Sequence, residues 1–509
     1  MTPKVLAKLA DSKRRIELRL DKTDLSGSEQ PMLTASNIHY EIADRTRGIA
    51  HGGIGAIHLL ARKLGLMDAI NAHLHVLKVA QPYHESDHVL NIAYNALCEG
   101  TCLEDIELRR NDEVFLDALG ARRIPDPTTA GDFCRRFQEE DVRDLQTAFD
   151  WTRRKVWAAQ PKSFFGQATI EMDGTLVATT GSCKQGMDVA YNGVWGYHPL
   201  VLTLAETGEV LRVVNRSGNR PSQEGAAAEV DRCMKLCLGA GFQKILLRGD
   251  TDFSQTQHLD RWNADPRVRF LFGYDSMSNL VDLADELPAT AWKKLTRPPQ
   301  YKVKTKPREK RHRVKDEIVR QREFDVLRLN SEEVAEFSYR PTACKTTYRM
   351  IVVRKNISKE KGEARLLDEI RYFFYITNDR KSTPPELVFS ANDRCNQENL
   401  VGQLKGGCRA LTAPVDNLVS NWAYMVMTAL AWNLKAWWAL MLPVESGGSE
   451  EKDRVTKTWV MKLQFKTFVQ AFVRVPCQVV RTGSRLVFRL LSWNPHQAIF
   501  FRFLDAMKC

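Results

Sequence analysis

The spacing of apolar and polar positions changes character along the chain. From about 52 to 160, apolar residues recur every three to four positions, as in "GIGAIHLLARKLGLMDAI", which predicts amphipathic helices. Within that region "PDPTTAGDFCRRF" carries a helix start. Asp126 suits the N-cap, Pro127 the first turn, and Thr129 with Asp132 resembles a capping box, with Arg135 and Arg136 on the helix that follows. From about 165 the texture becomes that of strands. "QATIEMDG" reads as a buried strand ending at Asp173, and "PLVLTLAETGEVLRVV" as a hairpin turning near Thr207 and Gly208. "SQEGAAAEVDRCMKLCLGAGF" reads as a helix closed by glycine, "KILLRGD" as a strand ending at Asp250, and "VRFLFGYD" as a third such strand. Strands alternating with helices predict an α/β sheet. "YRMIVVRKN" and "RYFFYITND" are further strands. After them come the polar stretch "ANDRCNQENLVGQLKGG", an apolar helix over 415–442, a polar linker, an amphipathic helix and a short hairpin, "CQVVRTGSRLVFRLL". The apolar segment "WAYMVMTALAWNLKAWWALMLP" is interrupted by Asn433 and Lys435, so it reads as a core helix rather than a membrane span.

At 509 residues, 43% of them hydrophobic, the chain can bury a large core and is too long for one compact domain. Its formal net charge of +12 points to a polyanionic partner, nucleic acid first. The densest run is "WKKLTRPPQYKVKTKPREKRHRVKDEIVRQREF" at 292–324, one-signed and interspersed with Trp292, Tyr301 and Phe324. It is read as a phosphate-contacting segment, against the alternative of a solvated face. The helical region before 160 either reads DNA or serves as packing. The 11 cysteines are odd in number and show no zinc-finger register, so they are expected to be reduced, mostly buried thiols of a cytoplasmic protein. "GGIG" is followed by no GK[ST] and is no phosphate loop. The N-terminus lacks the apolar run and cleavage site of a secretory signal.

Asp173 and Asp250 each end an apolar strand. In an open α/β sheet such positions converge on a shared crevice where ligands bind. Buried carboxylates there need a cation. Mg²⁺ takes oxygen ligands, and two such ions can serve a phosphoryl displacement. Glu398, in "ANDRCNQENLVGQLKGG", is the candidate third carboxylate. Each acid alone is more often a cap or loop residue, so spacing alone supports only a candidate two-metal site.

These segments together resemble the RNase H-like DDE transposases of bacterial insertion sequences, in the group with a Tyr-x-x-Arg-x-x-x-Glu-x-x-x-x-x-x-Lys signature. Arg394, Glu398 and Lys405 match that spacing, and "IEMDGT" and "LLRGDTDF" look like the strands of the first and second acids. Two positions depart from the pattern: Ala391 stands where the signature has Tyr, and Asp252 where Gly is often found, which leaves Asp250 and Asp252 in competition. The strand-end position and Arg248 favour Asp250.

The resemblance implies an α/β fold: an RNase H-like catalytic core interrupted by a β-rich insertion, with helical N-terminal and mostly helical C-terminal regions. The regions expected are a polar, loosely ordered N-terminal arm (1–50), a helical DNA-binding region (51–164), the first part of the core (165–285), a basic β-rich insertion (286–380), the second part of the core with the active-site helix (381–442), and a C-terminal region (443–509). It implies Asp173, Asp250 and Glu398 as catalytic metal ligands for two Mg²⁺ ions, with Mn²⁺ as a substitute. Arg394 and Lys405 would hold DNA phosphates from the same helical stripe as Glu398, flanked by Asn396 and Asn399. Trp292 is the nearest match to an insertion aromatic that holds a flipped base, though a core Trp is the preferred reading. The implied activity is cut-and-paste transposition on terminal inverted repeats and target DNA, by a homodimer in the bacterial nucleoid, with no membrane. The alternatives are a catalytically silent DNA-binding relative and a two-metal nuclease.

Overall fold

The computed structural model describes residues 2–21, 35, 37–40, 46–79, 82–181, 184–296, 317–318, 321–322, 325–361, 364–445, 447, 450–483 and 485–508. Tyr301, Phe324 and most of the basic run 292–324 lie outside the described residues, so its reading as a phosphate contact does too. Where a loosely ordered arm was expected, Pro3–Arg19 is a helix with no buried side chain. Ion pairs at helical spacing, Lys13–Glu17, Arg14–Asp11 and Arg15–Asp11, line its surface.

The N-terminal helices include α1 (Glu85–Leu97) and α2 (Glu139–Ala158). Between them Asp126 caps Pro127–Arg135, its Oδ1 accepting from Thr129 N at 2.9 Å. The capping box expected of Thr129 and Asp132 does not form, because the helix already starts at Asp126 and Thr129 lies inside its first turn, donating back to Asp126; Asp132 accepts from Arg135 at 2.8 Å. Arg135 also bonds Asp416 at 3.1 Å, which ties this helix to the C-terminal half of the chain. The glycines of "GGIG" serve packing: a side chain at Gly53 would strike the backbone carbonyl of Phe472.

A nine-stranded sheet organises the rest. Its strands in chain order are β1 (Ala168–Gly174), β2 (Leu200–Leu204), β3 (Glu209–Val214), β4 (Ile245–Gly249), β5 (Val268–Tyr274), β6 (Lys293–Lys294), β7 (Asp325–Tyr339), β8 (Tyr348–Lys361) and β9 (Ala364–Thr377). The five core strands lie in the order β3-β2-β1-β4-β5. β2 and β3 form an antiparallel hairpin on β1, while β4 and β5 run parallel to it. Helix α3 (Ala226–Ala240) connects β3 to β4, and α4 (Thr256–Asn263) connects β4 to β5. α3 ends at Gly241, whose φ of 110° is open to glycine. This five-stranded unit is the RNase H-like core that the resemblance implies.

The insertion extends the same sheet. β9 pairs antiparallel with β5 in the register Phe374↔Tyr274, and β8, β7 and β6 follow outward. β7 was not singled out from the sequence pattern. After β9 the chain returns through α5 (Pro384–Asn392), α6 (Cys395–Gly406) and α7 (Leu418–Leu440).

Every residue of α7 from Ser420 to Leu440 is buried. The helix lies along the free edge of β3 and satisfies its backbone. Asn433 accepts from Val210 N at 2.9 Å and donates to Val210 O at 3.0 Å; Trp432 Nε1 donates to Gly208 O at 2.6 Å and Trp422 Nε1 to Val213 O. From the other side, Gln146 of α2 accepts from Val213 N at 3.0 Å. Edge strands left open recruit other chains; here two helices close this one. Glu209, fully buried, anchors the junction by accepting from Arg153, Trp157 and Trp437. The two polar interruptions of the apolar segment are thus paired, with Lys435 donating to Met461 O at 2.8 Å. No described helix is long and apolar enough to cross a membrane.

Candidate active site

The site grows from the register of β1 and β4. Glu171 and Arg248 sit opposite each other in this parallel pair and form a buried ion pair at 2.6 Å. Side chains two residues apart on a strand share a face. Asp173 and Asp250 therefore stand on the same face as this pair, at the carboxyl ends of adjacent strands. Arg248 also donates to Ser390 O at 2.5 Å, which holds α5 over that face. A charged residue two places before each acid is a signal the sequence offered and the reading used only in part.

Helix α6 brings the third acid. Its buried Gln397 donates to Val201 O and accepts from Thr203 Oγ1, both at 3.2 Å, locking the helix against β2. The next residue, Glu398, then projects toward the strand ends. Gln397 had been passed over, because an amide among charges carries no local mark of burial. Asn396 and Asn399 are exposed.

Arg394 stands at the N-cap of α6, where a turn with helical dihedrals joins it to α5, so it keeps the expected i, i+4 place beside Glu398. From there its guanidinium enters the acid cluster. Nη1 lies 3.2 Å from Asp250 Oδ2 and 3.8 Å from Asp173 Oδ1; Nη2 lies 3.3 Å from Glu398 Oε1. The structure thus gathers all three predicted acids around one cation. Asp252 does not join them: it is exposed, and its backbone N–H donates to Asp250 Oδ1 at 3.1 Å. Among the described residues no group of three His, Cys, Asp or Glu side chains is already arranged to hold a metal ion.

Burial pushes the Asp173 carboxyl up to about 6; Arg394 opposes the rise, and Asp250 and Glu398 add to it. Asp250 is raised for the same reason, burial first, against Arg394. Lys405, half-buried on α6, is lowered by desolvation, and the neighbouring Asp173 counters that. A cleft of about 400 Å³ opens beside the acids, lined by Asp250, Arg394 and Glu398 on one side. Ala391 lines it too, with Tyr274 of β5 and residues 372–375 of β9 on the strand side. Trp292 packs beside the cleft: its buried ring lies 6.2 Å from that of Tyr372 and 4.2 Å from the Arg354 guanidinium above it.

Residues 46–509 match the family described as transposase DDE domain group 1. The chain belongs to the DDE transposases. The transposase acts on DNA and has the RNase H-like core that its strand order already displays. No curated protein matches its sequence. Among solved structures it is similar to the piggyBac transposase synaptic complex with hairpin DNA, with 10% identity over 83% of this chain and 82% of that one, and a TM-score of 0.36.

Proposed function

We propose that this transposase cuts DNA at the ends of a mobile element and joins them to target DNA by phosphoryl transfer at Asp173, Asp250 and Glu398. The observation that carries the reading is the convergence of these three carboxylates, from two parallel strand ends and one helix, on a single cation. The donor set is all oxygen and exceeds the charge of Arg394, which suits hard divalent ions. Mg²⁺, or Mn²⁺ in its place, would supply charge neutralisation and Lewis acidity to the phosphodiester when bound, as a pair in the two-ion form. The chain's own part is placement. β1 and β4 fix the two aspartates, Gln397 fixes α6 and with it Glu398, and Lys405 adds a positive charge for a phosphate near Asp173. The cleft lined by Arg394 and strand aromatics admits the DNA strand. Cut-and-paste transposition on terminal inverted repeats, a homodimer holding both ends, and action at the bacterial nucleoid in the cytoplasm belong to the same proposal.

The test is a cleavage and strand-joining assay with end DNA and Mg²⁺. Asp173→Asn, Asp250→Asn and Glu398→Gln are each expected to lower cleavage by on the order of 10³-fold or more while sparing DNA binding. Substantial activity in any of the three removes that residue from the site. No cleavage by the parent with any divalent ion would leave a DNA-binding protein; cleavage without joining would leave a nuclease.

A further inference from the structure

Arg394 sits where a divalent cation would be expected, and it sits there loosely. Its contacts with the acids, 3.2, 3.3 and 3.8 Å, are all longer than the roughly 2.7–2.9 Å of a tight charge-assisted hydrogen bond. It stands at the N-cap of α6, in the turn that joins two helices. Its side chain is 20% exposed, at the edge of the open cleft. One delocalised positive charge also leaves three carboxylates under-neutralised, even with Lys405 near Asp173. A divalent ion reaches carboxylate oxygens at about 2.0–2.6 Å and carries twice the charge. On the reading that these acids bind metal, the two cations compete for one place.

We propose that Arg394 is a positioning residue: an exchangeable counter-ion that holds the three acids together in the metal-free protein and leaves them when metal enters. Displaced, the guanidinium needs an anion, and a DNA phosphate in the adjoining cleft offers the bidentate partner it prefers. Metal then frees Arg394 for DNA, and DNA draws Arg394 away from the metal's place. By linkage the two ligands raise each other's affinity by one common factor. Order follows from this: the acids load fully only where DNA is present, which keeps a metal-charged nuclease from idling without substrate.

The test measures Mn²⁺ binding to the full chain by the electron paramagnetic resonance signal of free Mn²⁺, with and without a duplex oligonucleotide, subtracting binding to the duplex alone. In the parent, duplex is expected to tighten Mn²⁺ binding about tenfold. In Arg394→Gln, duplex-free binding is expected to be about tenfold tighter than in the parent, and duplex is expected to add little more. Equal parent affinity with and without duplex, or weaker binding in Arg394→Gln, overturns the proposal. The parent comparison needs no variant, so it stands even if Arg394→Gln folds poorly. Asp173→Asn separates the two claims. If it leaves Mn²⁺ binding unchanged, the acids are not the metal site, and the proposed function fails together with this inference. If it abolishes binding while the parent shows no duplex effect, only the exchange fails.

Discussion

Asp173 is half-buried near two other carboxylates, and its pKa rises from 3.8 to about 6. An acid whose folded pKa exceeds its unfolded one stabilises the fold fully below about pH 4 and loses that contribution as pH climbs through 6. At neutral pH the ionised side chain is therefore a burden in the metal-free protein, worth about 2–3 kcal/mol at roughly 1.4 kcal/mol per unit. Asp173→Asn is expected to melt higher than the parent at pH 7.5 without metal, with the gap closing as pH falls toward 4. Superimposable melting curves from pH 4 to 8 would sink this. On the proposed role of Asp173, such destabilisation is a common exchange of stability for activity. At this scale Asp173 and Asp250 were legible, because acids that end apolar strands stand out from their neighbours. Arg394 in their midst was not: its distances depend on the register Glu171↔Arg248 and on a turn between two helices that its local sequence does not announce.

Helix α6 is amphipathic in a way that hides its purpose. Its buried face includes Gln397, whose carboxamide spans Val201 O and Thr203 Oγ1 and so sets the rotation of Glu398 toward the strand ends. Gln397→Leu keeps the volume and removes both bonds, leaving Val201 O and Thr203 Oγ1 buried without that partner. A stability loss of about 1–3 kcal/mol is expected, with cleavage falling by at least tenfold as α6 loses its lock. Parent-like cleavage with the stability loss would show that α6 is positioned by its apolar contacts alone. The other elements were unevenly legible. β1, the β2–β3 hairpin, β4 and β5 follow apolar runs bounded by turns, and their limits were close to those read from the sequence. β7 begins "DVLRLNSEEVAEFSY", where polar and acidic residues break the alternation; its buried Glu332 is paired with Lys355 of β8 at 3.4 Å. That β9 pairs with β5, making the insertion part of the core sheet, is a long-range contact that no local period encodes.

Across the whole molecule, one apolar core runs from the N-terminal helices through the sheet to the C-terminal helix. α7 is its axis, buried on all sides because it serves at once as a roof for the N-terminal helices and as a seal on β3. The Asn433 carboxamide stands in for a missing neighbouring strand. Asn433→Leu would leave Val210 N–H unbonded, at a cost of about 1–3 kcal/mol, since Val210 O keeps Arg153 as a donor. A lower urea midpoint with an unchanged slope is the expected result. An unchanged midpoint would mean that water or another group replaces the amide.

That seal also has a consequence in time. Val210 and Asn433 are 223 residues apart in the chain. At about 5–20 residues per second, a ribosome needs roughly 10–45 seconds to travel from one to the other. Through that interval the newly made hairpin shows a bare strand border to the cell, open to pairing with other chains. The period of greatest exposure to wrong partners is therefore set by the length of chain that separates the border from its cover.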